Sequence, residues 1–424
     1  MRLLPRTALI AAGLFAVAAC SSGEPAPPEP SGSQRIVFVG PRFDIWTVQG
    51  DGSNPARLTG GRTPGVTGTD VALRSQQEQR VRYTWPTWSP DGGSVAVSRT
   101  PGIGGGALAS LVLFDAEGSA ARPLHETHPL AIPLVATGAP HYALWAPTSE
   151  TLSFVAPRGP GQGLGLFVVR PGDGGPYEVA ADAPLYHVWS PDGRYILVHR
   201  RGELLLHDTR DRSTTDLGAD SLRYRVPAFS PDGDRIAYVV EEDGAGRLVT
   251  SNLDGSDRVP LMDIPGEAAF AWSPGGGSVA VGTKGFSAVL YDDLHVVDGD
   301  GAGANEPLVR ERVAAFYWSP DGSRIAYVTV DGPMEWRVID LTSGESRRRA
   351  RFIPSADFLT HVQFFDQFAP SHLVWSADST TLVFSGVIER GAARQVWVVD
   401  AVGSEDPRPI GEGRLAFWAP SPTK

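Results

Sequence analysis

The sequence predicts an all-β fold of repeated four-stranded units, and three observations carry that expectation. An aromatic-Ser-Pro-Asp-Gly motif returns along the chain at a period near 45 residues. The 424 residues include 49 Gly and 36 Pro, which suits many short, turn-linked strands better than long helices. A short apolar strand follows each copy of the motif, and a further strand then ends in an acidic polar turn. Repeats of this length made of short strands form β-propellers, so the ordinary length prior of about three domains does not apply.

The full motif stands at Trp88-Ser89-Pro90-Asp91-Gly92, Trp189 to Gly193, Phe229 to Gly233 and Trp318 to Gly322. It is degenerate at Trp272-Ser273-Pro274-Gly275-Gly276 and weaker at Trp145, Trp375 and Trp418. The spacings between the eight aromatic anchors are 57, 44, 40, 43, 46, 57 and 43 residues. Pro sets φ at the first corner of the turn, Asp suits the second, and Gly takes the φ > 0 position. The Trp ends the preceding strand and offers a large area to bury between sheets. The later strands end in polar turns, as in DIWTVQGDGSN from Asp44 and QVWVVDAVGSED from Gln395.

The two ends complement one another. Ile36 to Gly60 supplies strands without a leading Trp motif, and Arg414 to Trp418 supplies a Trp strand with nothing after it. Together they make one unit, so the expectation is a single closed propeller of eight four-stranded blades. It would have seven blades if Trp145 belongs to an insertion. Pairing of the N- and C-terminal strands would close the ring and remove exposed sheet edges.

These units resemble the WD40-like (PD40) propeller repeats of the TolB family. That family's unit reads roughly as a Pro-x-Trp-Ser-Pro-Asp-Gly turn, an apolar strand, and a strand ending in Asp-x-Asp-Gly-Ser-Asn. Asp51-Gly52-Ser53-Asn54 followed by Arg57-Leu58-Thr59 is similar to its second half. The resemblance spans about Arg35 to Pro420 and implies a fold, not a function, because propellers host many functions. TolB itself carries an α/β domain before six blades and is not lipid-anchored, so its cellular role is not transferred.

The first residues read as targeting signal. Arg2 and Arg6 precede an eleven-residue apolar run from Leu9 to Ala19, too short to span a bilayer and the right length for a signal-peptide core. The run ends in Val17-Ala18-Ala19-Cys20, which resembles the bacterial lipobox, and Cys20 is the chain's sole cysteine. The expected organisation is a lipoprotein signal peptide at 1–19, a flexible tether at 20–34 acylated on Cys20, and the propeller at 35–421. Removal of 1–19 takes Arg2 and Arg6 away and moves the net charge from −11 to −13. Each buried acyl CH₂ contributes ~0.8 kcal/mol, so two or three chains anchor stably. Localisation is expected at the cell membrane or outer membrane, facing the periplasm or the exterior.

Composition narrows the chemistry. An acidic chain with 37 basic and 48 acidic residues does not suit nucleic-acid binding. A single Cys leaves no intrachain disulfide and no cysteine-based zinc site. No Gly-x-Ser-x-Gly elbow is present. GSVAVGTK at 277–284 approximates a phosphate loop but falls on an expected strand. Asp298-Gly299-Asp300 opens like a calcium loop, yet Ala302 takes the next ligand place.

Two groups of side chains remain as candidates. By the family resemblance, the strand leading into each Trp lines the central channel. His141, His187 and His372 lie on such strands, and His361 in the loop before the last. Convergent histidines could hold a divalent metal, but offsets of four, two and three residues from the Trp scatter them over both strand faces. No cofactor is expected. The second group lies in the long interval between Trp318 and Trp375, where RRRAR at 347–351 precedes five phenylalanines. Phe352, Phe358, Phe364, Phe365 and Phe368 form a candidate binding rim, with Phe358, Val362 and Phe365 on one face of a short helix or turn. The alternative is that these rings pack down as a lid. RRRAR is read as a solvated turn or a contact for anionic lipid.

The expected role is a monomeric, non-enzymatic scaffold that binds an envelope protein or an extracellular ligand. The rival expectation is a metal-dependent lyase or hydrolase with its site at the channel mouth.

Overall fold

The computed structural model describes residues 34–59, 81–100, 109–118, 121–127, 141–148, 150–158, 162–286, 288–303, 306–388 and 392–421. The signal segment, Cys20 and nearly all of the tether lie outside these residues. Gln34, the tether's last residue, is hydrogen-bonded into the fold through Gly50 N–H, 2.6 Å from its carbonyl oxygen.

The described chain is almost wholly antiparallel β-structure in seven sheets. Five are four-stranded meanders in sequence order, such as Arg82–Trp88, Ser94–Thr100, Ala109–Asp115 and Ala121–Thr127. The others begin at His141–Trp145, Leu185–Trp189, Ala228–Phe229 and Glu267–Trp272. Trp145 therefore ends the first strand of a full unit and does not belong to an insertion. A sixth sheet joins the two chain ends: Arg35–Val39 pairs with Leu415–Trp418, with Ile36 opposite Trp418. The seventh runs from Val313–Trp318 to Arg408–Glu412 in seven strands. Its two halves meet only where Ile353 and Pro354 pair with Val387 and Gly386.

The repeated turn explains why the units fold alike. In five copies the Ser hydroxyl donates to the Asp two residues on, at 2.5–2.6 Å (Ser89, Ser190, Ser230, Ser319, Ser376). The same Oγ accepts the N–H of the residue that starts the next strand, as from Tyr195 at 2.8 Å. The turn glycines take φ near +70°, for example Gly92 at 67°. In the last unit Ser379 adopts φ 61° in the glycine's place.

The tryptophans tie neighbouring sheets together. The indole N–H of Trp145 donates to Thr87 O, that of Trp189 to Leu144 O, Trp318 to Ala271 O and Trp375 to Tyr317 O, at 3.0–3.4 Å. Each acceptor immediately precedes the aromatic anchor of the preceding unit. In these four units one polar handle registers the sheet on its neighbour while the ring packs between them. Glycine makes room where the ring arrives: a Cβ on Gly50 or Gly299 would lie 2.5 Å from Trp418 or Trp272.

The run RRRAR forms part of the strand Ser346–Pro354, which corrects its reading as a solvated turn. Pairing opposite Met334–Asp340 supplies the hydrogen bonds that make it a strand. Ser278–Lys284 is likewise a strand, so the glycine-rich segment there is no phosphate loop.

Candidate functional site

The connection after Pro354 is the one described segment that leaves the β-pattern. Ser355 caps a helix α1 (Ala356–Gln363) by accepting the Phe358 N–H at 3.0 Å, and Asp357 lies in its first turn. A single helical turn α2 (Phe365–Phe368) follows. Phe358, His361 and Val362 share the buried face of α1, and Phe365 and Phe368 are buried in α2.

The partners of this insert come from units far apart in sequence. Phe368 stacks on Trp85 with ring centroids 4.5 Å apart and planes within 4°. Its edge meets Tyr142 at 5.8 Å. Phe365 packs on Tyr291, Phe316 and Tyr317, and Phe358 on Phe352 and Trp336. His361 and His372 both touch Phe417, at 5.0 and 4.5 Å. The insert thus packs on strands of four different sheets, those of Trp85, Tyr142, Phe316 and Phe417.

The exposed Phe-rich rim therefore needs correction. Phe352, Phe358, Phe365 and Phe368 are buried, and only Phe364 is half-exposed. Burying large rings removes apolar area from water at ~25 cal/mol per Å², and residues of several sheets supply the partners. The cluster is a stopper within the hydrophobic core that these sheets share.

Two ion pairs fasten the insert. Asp366 is gripped by Arg225, Nη2–Oδ1 2.7 Å and Nε–Oδ2 2.9 Å. Arg225 also donates to Gln363 O at 3.0 Å and lies over the Phe364 ring. Arg414 Nε donates to Asp357 Oδ2 at 2.6 Å. Burial raises the Tyr142, Tyr291 and Tyr317 hydroxyl pKa values above the usual range, so these groups stay protonated.

The histidine candidates are distributed as follows. His187 Nε2 lies 2.7 Å from Ser153 Oγ, and Tyr142 OH donates to the His187 carbonyl. His361 and His372 are neighbours, ring centroids 6.3 Å apart. Phe368 stands beside both, at 5.7 and 5.1 Å, where a shared metal would need space. The side chain of His141 lies outside the described residues. Burial pushes His187 and His361 down to about 3 and His372 well below its usual value. All three are neutral bases at pH 7. Among the described residues, no three His, Cys, Asp or Glu side chains lie close enough to hold a metal.

Features with no sequence signal lie beyond the insert. Leu222, Phe286 and Val289 are 68%, 60% and 73% exposed on two connecting loops. Arg223 joins those loops, its guanidinium 4.9 Å from the Phe286 ring centre and donating to Pro265 O and Gly266 O. A separate cavity of about 290 Å³ opens beside the strand Ser346–Pro354.

Antiparallel four-stranded units in series, four of them pinned to the unit before by a tryptophan N–H, define the β-propeller class. No family model matches the sequence, and no curated protein does. Solved structures do. The C-terminal WD40 domain of Sif2 is similar at a TM-score of 0.50 and 12% identity, over 76% of this chain and 84% of that one. An oligogalacturonate lyase from Vibrio parahaemolyticus is similar at 0.51 and 14%, over 87% and 97%. TolB from Acinetobacter baumannii matches at 0.40 and 16%, over 85% and 89%. At such identities the likeness is one of fold alone.

Proposed function

We propose that this chain is a lipid-anchored, extracytoplasmic propeller of eight blades that binds a protein or ligand of the bacterial cell envelope. The count takes Trp375, which bridges to Leu382, as the short first strand of an eighth unit. Pairing of 35–39 with 415–418 closes the ring in this reading. Cys20 carries the acyl anchor, and the acidic chain works as a monomer without nucleic acid.

The observation that carries the binding reading is the contrast between a sealed middle and a wet apolar patch. The insert fills the space where a channel ligand would sit, and its histidines are neutral and packed against rings. Leu222, Phe286 and Val289 meanwhile stand in solvent on the two loops that the buried Arg223 joins, apolar side chains of the kind a docking surface exposes. The metal-dependent lyase or hydrolase alternative finds no assembled ligand set among the described residues to support it.

The test is affinity capture from gently solubilised membranes with the lipidated wild type and with a Leu222→Ser, Phe286→Ser, Val289→Ser variant. A partner held by the wild type and lost by the folded variant supports the scaffold. Equal recovery by both, or no partner with either, refutes it. Cys20→Ala should release the protein from membranes; retention would refute the anchor.

A further inference from the structure

In six units the third and fourth strands are paired with an irregularity that sets one fourth-strand residue out of the register. In five units that residue is aliphatic: Leu124, Val179, Leu261, Leu308 and Ile410. Each packs into or against a hydrophobic cluster of the propeller. In the unit of Val313–Trp318 the same place holds Arg349, between Arg348 opposite Arg337 and Ala350 opposite Trp336. A bulge re-aims a side chain, and here it aims a cation where its counterparts carry hydrocarbon.

The consequence is the cavity of about 290 Å³, lined by Arg324, Arg347 and Arg349 with Asp340, Glu345 and Val402. Register puts Arg324 opposite Asp340 and Arg347 opposite Val338, so these side chains share one sheet face. Arg349 reaches across to the carbonyls of Val402 and Gly403 in the next unit's turn, while its buried Nε has no partner. Desolvation and the nearby Arg347 and Arg324 lower its pKa, despite Asp400. The two lining carboxylates lie against the outer arginines, Asp340 Oδ2 3.5 Å from Arg324 Nε and Glu345 on Arg347, so Arg349 is the lining cation that neither of them pairs. Asp340 accepts from the Thr342 and Ser343 N–H groups of its own hairpin, and Glu345 pairs with Arg347 at the exposed lip.

We propose that this lateral groove is a binding site for a phosphate-type oxyanion, with Arg349 as its inner ligand and Arg324 and Arg347 at its sides. Guanidinium groups suit such ions because their planar N–H forks match the oxygens two at a time. The source is a free phosphate or phosphorylated solute, or a lipid headgroup. The site is independent of the insert and of the partner surface proposed above.

The experiment titrates inorganic phosphate into the purified chain, followed by calorimetry and ³¹P line shift, for wild type, Arg349→Leu and Arg347→Gln. Leucine is what a sibling unit carries, so Arg349→Leu should keep the wild-type melting temperature. Phosphate affinity should fall roughly tenfold or more in Arg349→Leu and severalfold in the exposed Arg347→Gln. Vesicles of phosphatidylglycerol against phosphatidylcholine separate the sources. Arg349-dependent binding to the former, displaced by phosphate, supports a headgroup; phosphate binding without vesicle binding supports a solute. No phosphate binding at millimolar concentration, or equal binding by wild type and both variants, overturns the site.

Discussion

If the aromatic insert is a structural stopper, its two adjoining types of phenylalanine must respond differently to truncation. Phe368 is 4% exposed, stacked on Trp85 and edged by Tyr142 and His372. Phe368→Ala deletes a ring from a closed site whose partners sit on separate sheets and cannot readily collapse. Such truncations cost about 3–5 kcal/mol. Phe364, four residues earlier, is half-exposed at the edge of the core, with the Arg225 guanidinium 5.3 Å from its ring. Its truncation should cost about 1 kcal/mol, the scale of an exposed cation–π contact. Unfolding entropy of ~2.1 cal/mol/K per residue over a propeller of this length converts about 4 kcal/mol into about 5 °C and about 1 kcal/mol into about 1 °C. Thermal melts of the two variants followed by near-UV dichroism make the comparison. A folded Phe368→Ala protein melting within about 1 °C of wild type would refute the reasoning, since its ring could not then be a buried keystone.

Three further outcomes follow from the same geometry. The neutral buried histidines make stability fall with acid. Their folded pKa values lie near 3 for His187 and His361 against 6.5 unfolded, so below pH 6.5 the unfolded chain binds more protons. That stability is whole above 6.5 and drains toward pH 3; His361→Phe should flatten the slope of denaturation midpoint between pH 6.5 and 4.5, and an unchanged slope would count against it. Gly299→Ala should destabilise by about 1–3 kcal/mol because its Cβ would meet the Trp272 ring at 2.5 Å, measurable by urea denaturation. Ser230→Ala should cost about 1 kcal/mol by removing the bonds to Asp232 and from Arg235 N–H, and should raise the Asp232 pKa, which the Ser230 hydroxyl holds below 3.8, as NMR titration can follow.

The four-stranded unit was legible because its information is local. Pro, Asp and Gly at fixed places in a turn, an aromatic before it and an apolar run after it act within about ten residues, and the copies repeat them in full or in part. The complementary ends were legible for the same reason, and Arg35–Val39 does pair with Leu415–Trp418. A helix or turn after Pro354 could be anticipated from the spacing of Phe358, Val362 and Phe365, though the helix ends at Gln363 and Phe365 opens a second turn. Its destination could not, because hydrophobic spacing specifies a face without saying what covers it. Whether five phenylalanines make a rim or a stopper was decided by Trp85, Tyr142, Tyr291 and Phe417, which only the assembly of the sheets brings together. Arg225 and Asp366 are 141 residues apart, and no local pattern pairs them. In RRRAR all the charges read alike; pairing with Met334–Asp340 singled out Arg349 as the bulged residue and turned it toward the next unit. Local chemistry determined the repeat, and long-range packing decided what each irregularity in that repeat is for.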